Sequence, residues 1–88
     1  MEYLLFTYPN CSHCEDLKKY LKQIPLSGQE YSLVLKESKM KIREYLKILK
    51  RDAKGGIIIP TLIIKNEDQP PLVLNNRMEL EEWWKSRD

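Results

Sequence analysis

The chain alternates between short apolar runs and apolar residues at helical spacing, and this pattern predicts its elements in order. Tyr3 to Tyr8 is a largely apolar and aromatic run, short enough for a buried strand, and Pro9–Asn10 breaks it. Cys14, Leu17, Leu21 and Ile24 then recur at steps of three and four, the spacing of an amphipathic helix. Ser12 and Glu15 stand at capping-box spacing and Asn10 is a second candidate cap, so this helix is predicted to begin at the cysteines and to end at Pro25–Gln29. Tyr31, Leu33 and Leu35, interleaved with polar Ser32 and Lys36, predict a second strand. Ser38 can cap a longer helix with Ile42, Tyr45, Leu46, Leu49 and Ala53 on one side, terminated by Gly55–Gly56. Ile57 to Lys65 carries the strongest strand pattern of the chain, interrupted by Pro60. Asn66–Pro70 then predicts a hairpin loop and Pro71–Leu74 a short returning strand. Asn75 or Asn76 caps a last helix whose buried face is Leu80, Trp83 and Trp84.

The resulting order is β-α-β-α-β-β-α, an α/β pattern. A helix between the first two strands, and another before the third, favours parallel neighbours, whereas the last two strands should form an antiparallel hairpin. One mixed four-stranded sheet flanked by three helices is the economical arrangement. At 88 residues the chain is read as a single domain over 1–88, near the small end of what folds without staples, and a hydrophobic fraction of 42% suffices for a core.

Charge narrows the functions available. Fifteen basic residues against 13 acidic ones leave a net charge of +2, too little for a dedicated nucleic-acid binder. The opening Met1-Glu2-Tyr3-Leu4-Leu5-Phe6 has no basic n-region, and no stretch approaches the roughly 18 apolar residues of a membrane span. The expectation is a soluble, cytoplasmic monomer with no membrane or nucleic-acid partner.

The candidate chemistry lies in Cys11-Ser12-His13-Cys14, which holds both cysteines of the chain. A secreted disulfide scaffold would carry more cysteines at wider spacing, and a loop this short gains only about 2 kcal/mol from cross-linking. Reactivity explains the spacing better than stapling does. A thiol in the first turn of a helix sits among unsatisfied N–H groups at the positive end of the helix dipole, which favours the thiolate. Cys11 is therefore the expected nucleophile. Cys14, one turn further in on the apolar face, is the expected resolving thiol, which would displace substrate from a mixed disulfide on Cys11. His13, between the two, either tunes the Cys11 thiolate or is an exposed first-turn residue.

Pro60 is a second candidate. A proline within a strongly apolar run cannot donate to a sheet ladder and must mark an edge, bulge or bend. A cis Ile59–Pro60 bond there would turn the Ile59 backbone outward to pair with an extended substrate. Tyr8, three residues before Cys11, either borders the site or ends its strand in the core. A structural zinc site lacks a second half, since two cysteines and His13 crowd one loop, and no metal is expected. Two cysteines per chain still leave room for an iron–sulfur cluster shared between two chains. Lys39, Arg43, Lys47, Lys50 and Lys54 form a basic stripe on the second helix, read as a solvated face, or else as a dock for an acidic partner.

The sequence resembles the glutaredoxin and thioredoxin superfamily over nearly its whole length. Tyr8-Pro9-Asn10-Cys11-Ser12-His13-Cys14 occupies the place of the family's active-site loop, and Ile59-Pro60-Thr61-Leu62 looks like its cis-proline loop. The resemblance implies a thioredoxin-like fold and a dithiol–disulfide oxidoreductase. Cys11 and Cys14 would be catalytic, and Tyr8, Ile59, Pro60 and Glu79 would border the substrate. Of the glutathione-binding pattern, Glu79 stands in for the acidic residue, while Tyr8 replaces the usual lysine and Asn75–Asn76 the usual glycine pair. No cofactor is required by this reading. Glutathione or a reductase would return electrons, and a protein or small-molecule disulfide would receive them. His13 before the second cysteine is similar to the isomerases and oxidases of the superfamily, and implies a potential less reducing than the roughly −270 mV of thioredoxin. Ser12 is similar to glutaredoxins that hold a shared iron–sulfur cluster, which makes a cluster carrier the alternative function.

Overall fold

Strand β1 (Glu2–Thr7) takes up the first apolar run and lies inside the sheet, buried from Leu4 to Thr7 in a computed structural model that describes residues 1–87. Helix α1 (Ser12–Leu21), strand β2 (Ser27–Ser32), helix α2 (Lys36–Ile42), strands β3 (Thr61–Asn66) and β4 (Gln69–Leu74), and helix α3 (Arg77–Lys85) follow. The sheet order is β2-β1-β3-β4, with β1 and β2 parallel and the β1/β3 and β3/β4 pairs antiparallel. The architecture is thus α/β, an open mixed four-stranded sheet with three helices, as the pattern of the chain predicts.

Side chains of β1 and β3 are buried on both faces, which is why these strands read as continuous apolar runs. On one face Leu5, Leu62, Ile64 and Leu74 pack against Leu17, Tyr20 and Leu21 of α1 and Leu80 of α3. On the other, Leu4, Phe6, Ile63 and Val73 pack against Leu33, Ile42 and Leu49. Phe6, Leu17, Leu62, Ile63 and Leu80 are wholly buried, each contributing about 1.5–3 kcal/mol from burial. Strand β2 approaches β1 so closely that a Cβ at Gly28 would collide with the Tyr3 carbonyl oxygen and ring, so this edge position requires glycine.

Several expected boundaries are corrected. Strand β2 comes earlier than the Tyr31–Leu35 alternation suggests. It covers Ser27–Ser32, largely exposed residues held by the ladder to β1, whereas Leu35 is solvent-exposed and stands just before α2 without capping it. The long helix expected after Ser38 is the seven-residue α2 followed by one 3-10 turn over Arg43–Tyr45. Local hydrogen bonding stops it from continuing. Arg51 pairs with Ile57 across a small hairpin, the Ile58 N–H donates to the Lys50 carbonyl at 3.4 Å, and the Asp52 carboxylate accepts from the N–H groups of Lys54 and Gly56 at 2.9 Å each. An aspartate that satisfies nearby backbone in this way competes with the helix. Gly55, at φ +83, turns this hairpin and does not end a helix. The basic stripe is dispersed accordingly, with Lys39 on α2, Arg43 in the 3-10 turn and Lys47, Lys50 and Lys54 beyond it.

Strand β3 is antiparallel to β1, where the preceding helix favoured a parallel neighbour. A parallel return needs a connection running the length of a strand, about 20 Å, and α2 spans only about 10 Å. The chain instead leaves β2 and enters β3 at the same end of the sheet. There the Leu33 N–H donates to the Thr7 carbonyl at 2.8 Å and Thr61 lies opposite Phe6. Strand β4 begins at Gln69 and takes in both prolines, which suits an edge that needs no donor on its outer side. Leu80 fills the core as expected, but Trp83 and Trp84 are half-buried at its rim, with the Arg87 guanidinium 5.1 and 4.8 Å from their rings. Among the described residues no helix is long and apolar enough to cross a membrane.

Candidate functional site

One end of the sheet gathers most of the sequence-predicted residues, and strand register explains how. Strand β1 ends at Thr7, the chain turns through Tyr8 and Pro9 with Asn10 in the left-handed region at φ 58, and α1 opens at Cys11. Phe6 pairs with Thr61, so Pro60 lies at this same end, and Leu62 pairs with Leu74, which brings Asn75 and the start of α3 there too. The N-termini of α1 and α3 therefore meet, and Arg77 of α3 joins Asp16 of α1 at 3.0 Å. That contact, then the one to Glu81, raises the Arg77 pKa above its usual value.

Cys11 itself is the N-cap of α1, in place of the expected Ser12 or Asn10. Its Sγ accepts the Cys14 N–H at 3.0 Å, the position a cap oxygen normally takes. Cys11 and Cys14 are joined as a disulfide, with Cα atoms 5.2 Å apart. The two sulfurs differ in access: Cys11 is half-buried, while Cys14 is 1% exposed and faces the core. When the bond is reduced, the N–H that reaches Cys11 Sγ is a ready donor to a thiolate there. His13 is exposed beside the pair and, with Ser12, Glu15, Asp16 and Lys19, lines an open surface hollow of about 520 Å³.

Tyr8 is 48% exposed, so it lies at the rim of this end and not in the core. The Ile59–Pro60 peptide is cis, Pro60 is fully buried, and the Ile59 side chain packs under the sheet against the cluster of Leu4, Phe6 and Ile63. Among the described residues, neither the N–H nor the C=O of Ile59 has a hydrogen-bond partner. Glu79, in the first turn of α3, has both oxygens engaged: Oε1 accepts the Asn75 N–H at 2.7 Å, and Oε2 lies 3.3 Å from Lys50 Nζ.

Asn75 and Thr61 join this set although the sequence marks Asn75 as a candidate cap and, with Asn76, as a replacement for a glycine pair. Asn76 caps α3, its side chain accepting the Glu79 N–H at 2.8 Å, while Asn75 turns inward and donates to the carbonyls of Ile58 and Pro60. The usable signal is that two adjacent asparagines stand where one cap suffices. Among the described residues no group of three or more His, Cys, Asp or Glu side chains is gathered to hold a metal. The roomier hollows lie at the opposite end of the sheet, one of about 750 Å³ against Pro70, Pro71 and Trp83, away from the sulfurs. Comparison of the chain with protein-family models, curated proteins and solved structures finds no match, so the reading of the site rests on its own geometry.

Proposed function

We propose that this protein is a dithiol–disulfide oxidoreductase of the thioredoxin-like class. The observation that carries the reading is the asymmetry of the cysteine pair: Cys11 caps a helix N-terminus and receives a backbone N–H, while its disulfide partner Cys14 is buried one turn further in. A thiolate at Cys11 is stabilised by the helix dipole and that N–H, and attacks one sulfur of a substrate disulfide. The substrate disulfide breaks, one substrate thiolate leaves, and a mixed disulfide to Cys11 forms. Cys14 then loses its proton and attacks Cys11 Sγ. The second substrate thiolate departs and the Cys11–Cys14 disulfide remains, two electrons having passed to the substrate. A dithiol reductant, or two equivalents of a monothiol such as glutathione, restores the pair. In this reading His13 tunes the thiolate from the surface, Tyr8 borders the substrate, and the unpaired Ile59 peptide beside Pro60 orients it.

The test is a pair of variants. Cys11→Ser should abolish reduction of a disulfide substrate, and Cys14→Ser should accumulate a mixed disulfide seen as a mass increase on Cys11. Undiminished turnover by Cys11→Ser would overturn the reading. A reduction potential between about −200 and −280 mV places the pair as a reductant, and about −120 to −180 mV as an oxidase or isomerase tuned by His13. Visible colour and dimerisation after anaerobic reconstitution with iron and sulfide would instead mark the two thiols as ligands of a shared cluster.

A further inference from the structure

The peptide of Ile59 is bracketed by two carbonyls that the chain secures from a distant element. Asn75 Nδ2 lies 3.1 Å from the Ile58 oxygen, 3.0 Å from the Pro60 oxygen and 3.3 Å from Thr61 Oγ1. The Thr61 hydroxyl donates to the same Ile58 oxygen at 2.6 Å, which leaves its lone pairs to face the Asn75 amide. The orientation of the amide follows from its partners. Turned over, Asn75 would set its own oxygen against two carbonyl oxygens, so the nitrogen must face the loop. The consequence is unfavourable elsewhere: Asn75 is 7% exposed, and its Oδ1 is a buried side-chain acceptor without a partner among the described residues. A buried polar atom left unpaired is destabilising, and its retention calls for a reason.

Capping α3 is not that reason, because Asn76 does it. The surrounding contacts all converge on the same loop. The Asn75 N–H is held by Glu79 at 2.7 Å, Glu79 reaches Lys50 at 3.3 Å, and the Lys50 carbonyl accepts the Ile58 N–H at 3.4 Å. The loop is thus fixed on both sides of Ile59, while the Ile59 N–H and C=O stay unpaired among the described residues.

We propose that Asn75 is a positioning residue. It clamps the Ile58 and Pro60 carbonyls so that the Ile59 peptide is held ready to pair with the backbone of an extended polypeptide disulfide lying across Cys11. This inference rests on the redox reading above and adds the substrate class, a polypeptide strand, and the residue that orders its docking surface. The hydrogen bonds of Asn75 go to Glu79, Ile58, Pro60 and Thr61 and not to the sulfurs, so the potential of the pair is expected not to depend on it.

The test uses the full chain, reduced, with a synthetic peptide carrying an internal disulfide as probe. Asn75→Ala removes the hydrogen bonds to both carbonyls, and is expected to raise KM for the peptide about tenfold, the equivalent of one to two net hydrogen bonds. The Cys11–Cys14 reduction potential should not move, and backbone relaxation should show the Ile59 amide less ordered. Asn75→Asp keeps the shape but turns an acceptor toward two acceptors. It should match Asn75→Ala where its carboxyl is ionised and recover as the pH falls and the carboxyl gains a proton to donate, which decides the matter if the alanine variant fails to fold. An unchanged KM in Asn75→Ala, a KM of Asn75→Asp that is the same as wild type at every pH, or a shifted potential with KM unmoved, would overturn the proposal. If the wild-type chain reduces a small-molecule disulfide but no peptide disulfide, the polypeptide substrate class is rejected while the redox reading stands; if it reduces neither, the redox reading fails by itself, and the order of the Ile59 amide still judges the clamp: an amide as rigid in Asn75→Ala as in the wild type rejects it.

Discussion

Over one face of the sheet lie α1 and α3, two regular helices, each closed at its N-terminus by a side chain, Cys11 and Asn76, and each sending a wholly buried leucine, Leu17 and Leu80, into a shared core. Over the other face α2 runs for seven residues without a side-chain cap, and the chain then passes through a 3-10 turn and a small hairpin before entering β3. The first face is stabilised by amphipathic helices and presents the cysteines on a fixed helix end. The second is held by Leu33, Ile42 and Leu49 in its own core, by hydrogen bonds within residues 50–58 and by those from Asn75, and its product is the path that delivers Ile58–Pro60 to the same end of the sheet. A thiol on a rigid helix and a peptide on a secured loop are different tasks, and the two faces are built differently to match.

The largest effect should come from the cores. Leu80→Ala, at a wholly buried position between α3 and the sheet, is expected to cost about 3–5 kcal/mol, and Leu49→Ala, on the irregular face and 7% exposed, about 2–3 kcal/mol because neighbouring turns can settle into the space. Urea unfolding of both variants measures the difference. Equal losses would mean the irregular face is packed as firmly as the helical one.

Gly55→Ala is next. Gly55 sits at φ +83 with open space where a Cβ would go, so the cost is conformational, about 1–2 kcal/mol, with no clash to relieve. Urea unfolding measures it, and a neutral or stabilising Gly55→Ala would mean that the chain does not need the left-handed turn at this position.

The replacement of the helix expected after Ser38 by a short helix, a 3-10 turn and this hairpin shows where the sequence is legible and where it is not. The α1 and α3 face could be read from Leu17, Leu21 and Leu80 because helix period, burial and capping point to the same answer. The helical period of Ile42, Tyr45, Leu46 and Leu49 is just as clear, yet Leu46 is 36% exposed, Tyr45 is partly buried at the edge of the core and Ile42 and Leu49 alone of the four are buried in it. What overrides it is the Asp52 turn and the pairing of Lys50–Arg51 with Ile57–Ile58, a contact between segments that periodicity does not represent. In the site, the cysteine spacing fixed the place of Cys11 and Cys14, and Pro60 declared itself by breaking a strand pattern. The Asn75 clamp was hidden because its partners are backbone carbonyls, which every residue carries and no pattern of side chains reveals.

Helix caps give a smaller contrast. Asn76→Ala removes the acceptor for the Glu79 N–H and should cost about 1 kcal/mol. Leu35, 53% exposed at the uncapped start of α2 with extended φ and ψ, is expected to accept the opposite change: Leu35→Asp should gain about 0.5–1 kcal/mol. Thermal unfolding of both variants checks the pair. A neutral or destabilising Leu35→Asp would show that the exposed leucine holds α2 in place by packing, and that the second face depends on apolar contact even at its rim.

The smallest effect concerns how α1 is tied to the sheet edge. Lys18 Nζ lies 2.9 Å from Glu15 and 3.3 Å from Glu30, and Glu30 also accepts the buried Thr7 hydroxyl at 2.8 Å, so one carboxylate joins α1, β1 and β2. The hydrogen bond that Lys18 donates to Glu15, opposed by burial and helped by Glu30, raises the Lys18 pKa above its ordinary 10.5. A lysine whose folded pKa lies above its unfolded one stabilises the fold fully below the unfolded pKa, and the contribution is lost as pH rises through the folded value. The side chains are partly open to solvent, which limits the contribution to about 0.5 kcal/mol at low salt. The melting temperatures of the wild type and Lys18→Met, compared from neutral to strongly alkaline pH, should differ slightly below pH 10.5 and converge above it. A gap that persists at every pH would assign the effect to the packed lysine stem. A gap that closes near neutrality would mean that some group other than Lys18 governs the tie between α1 and β2.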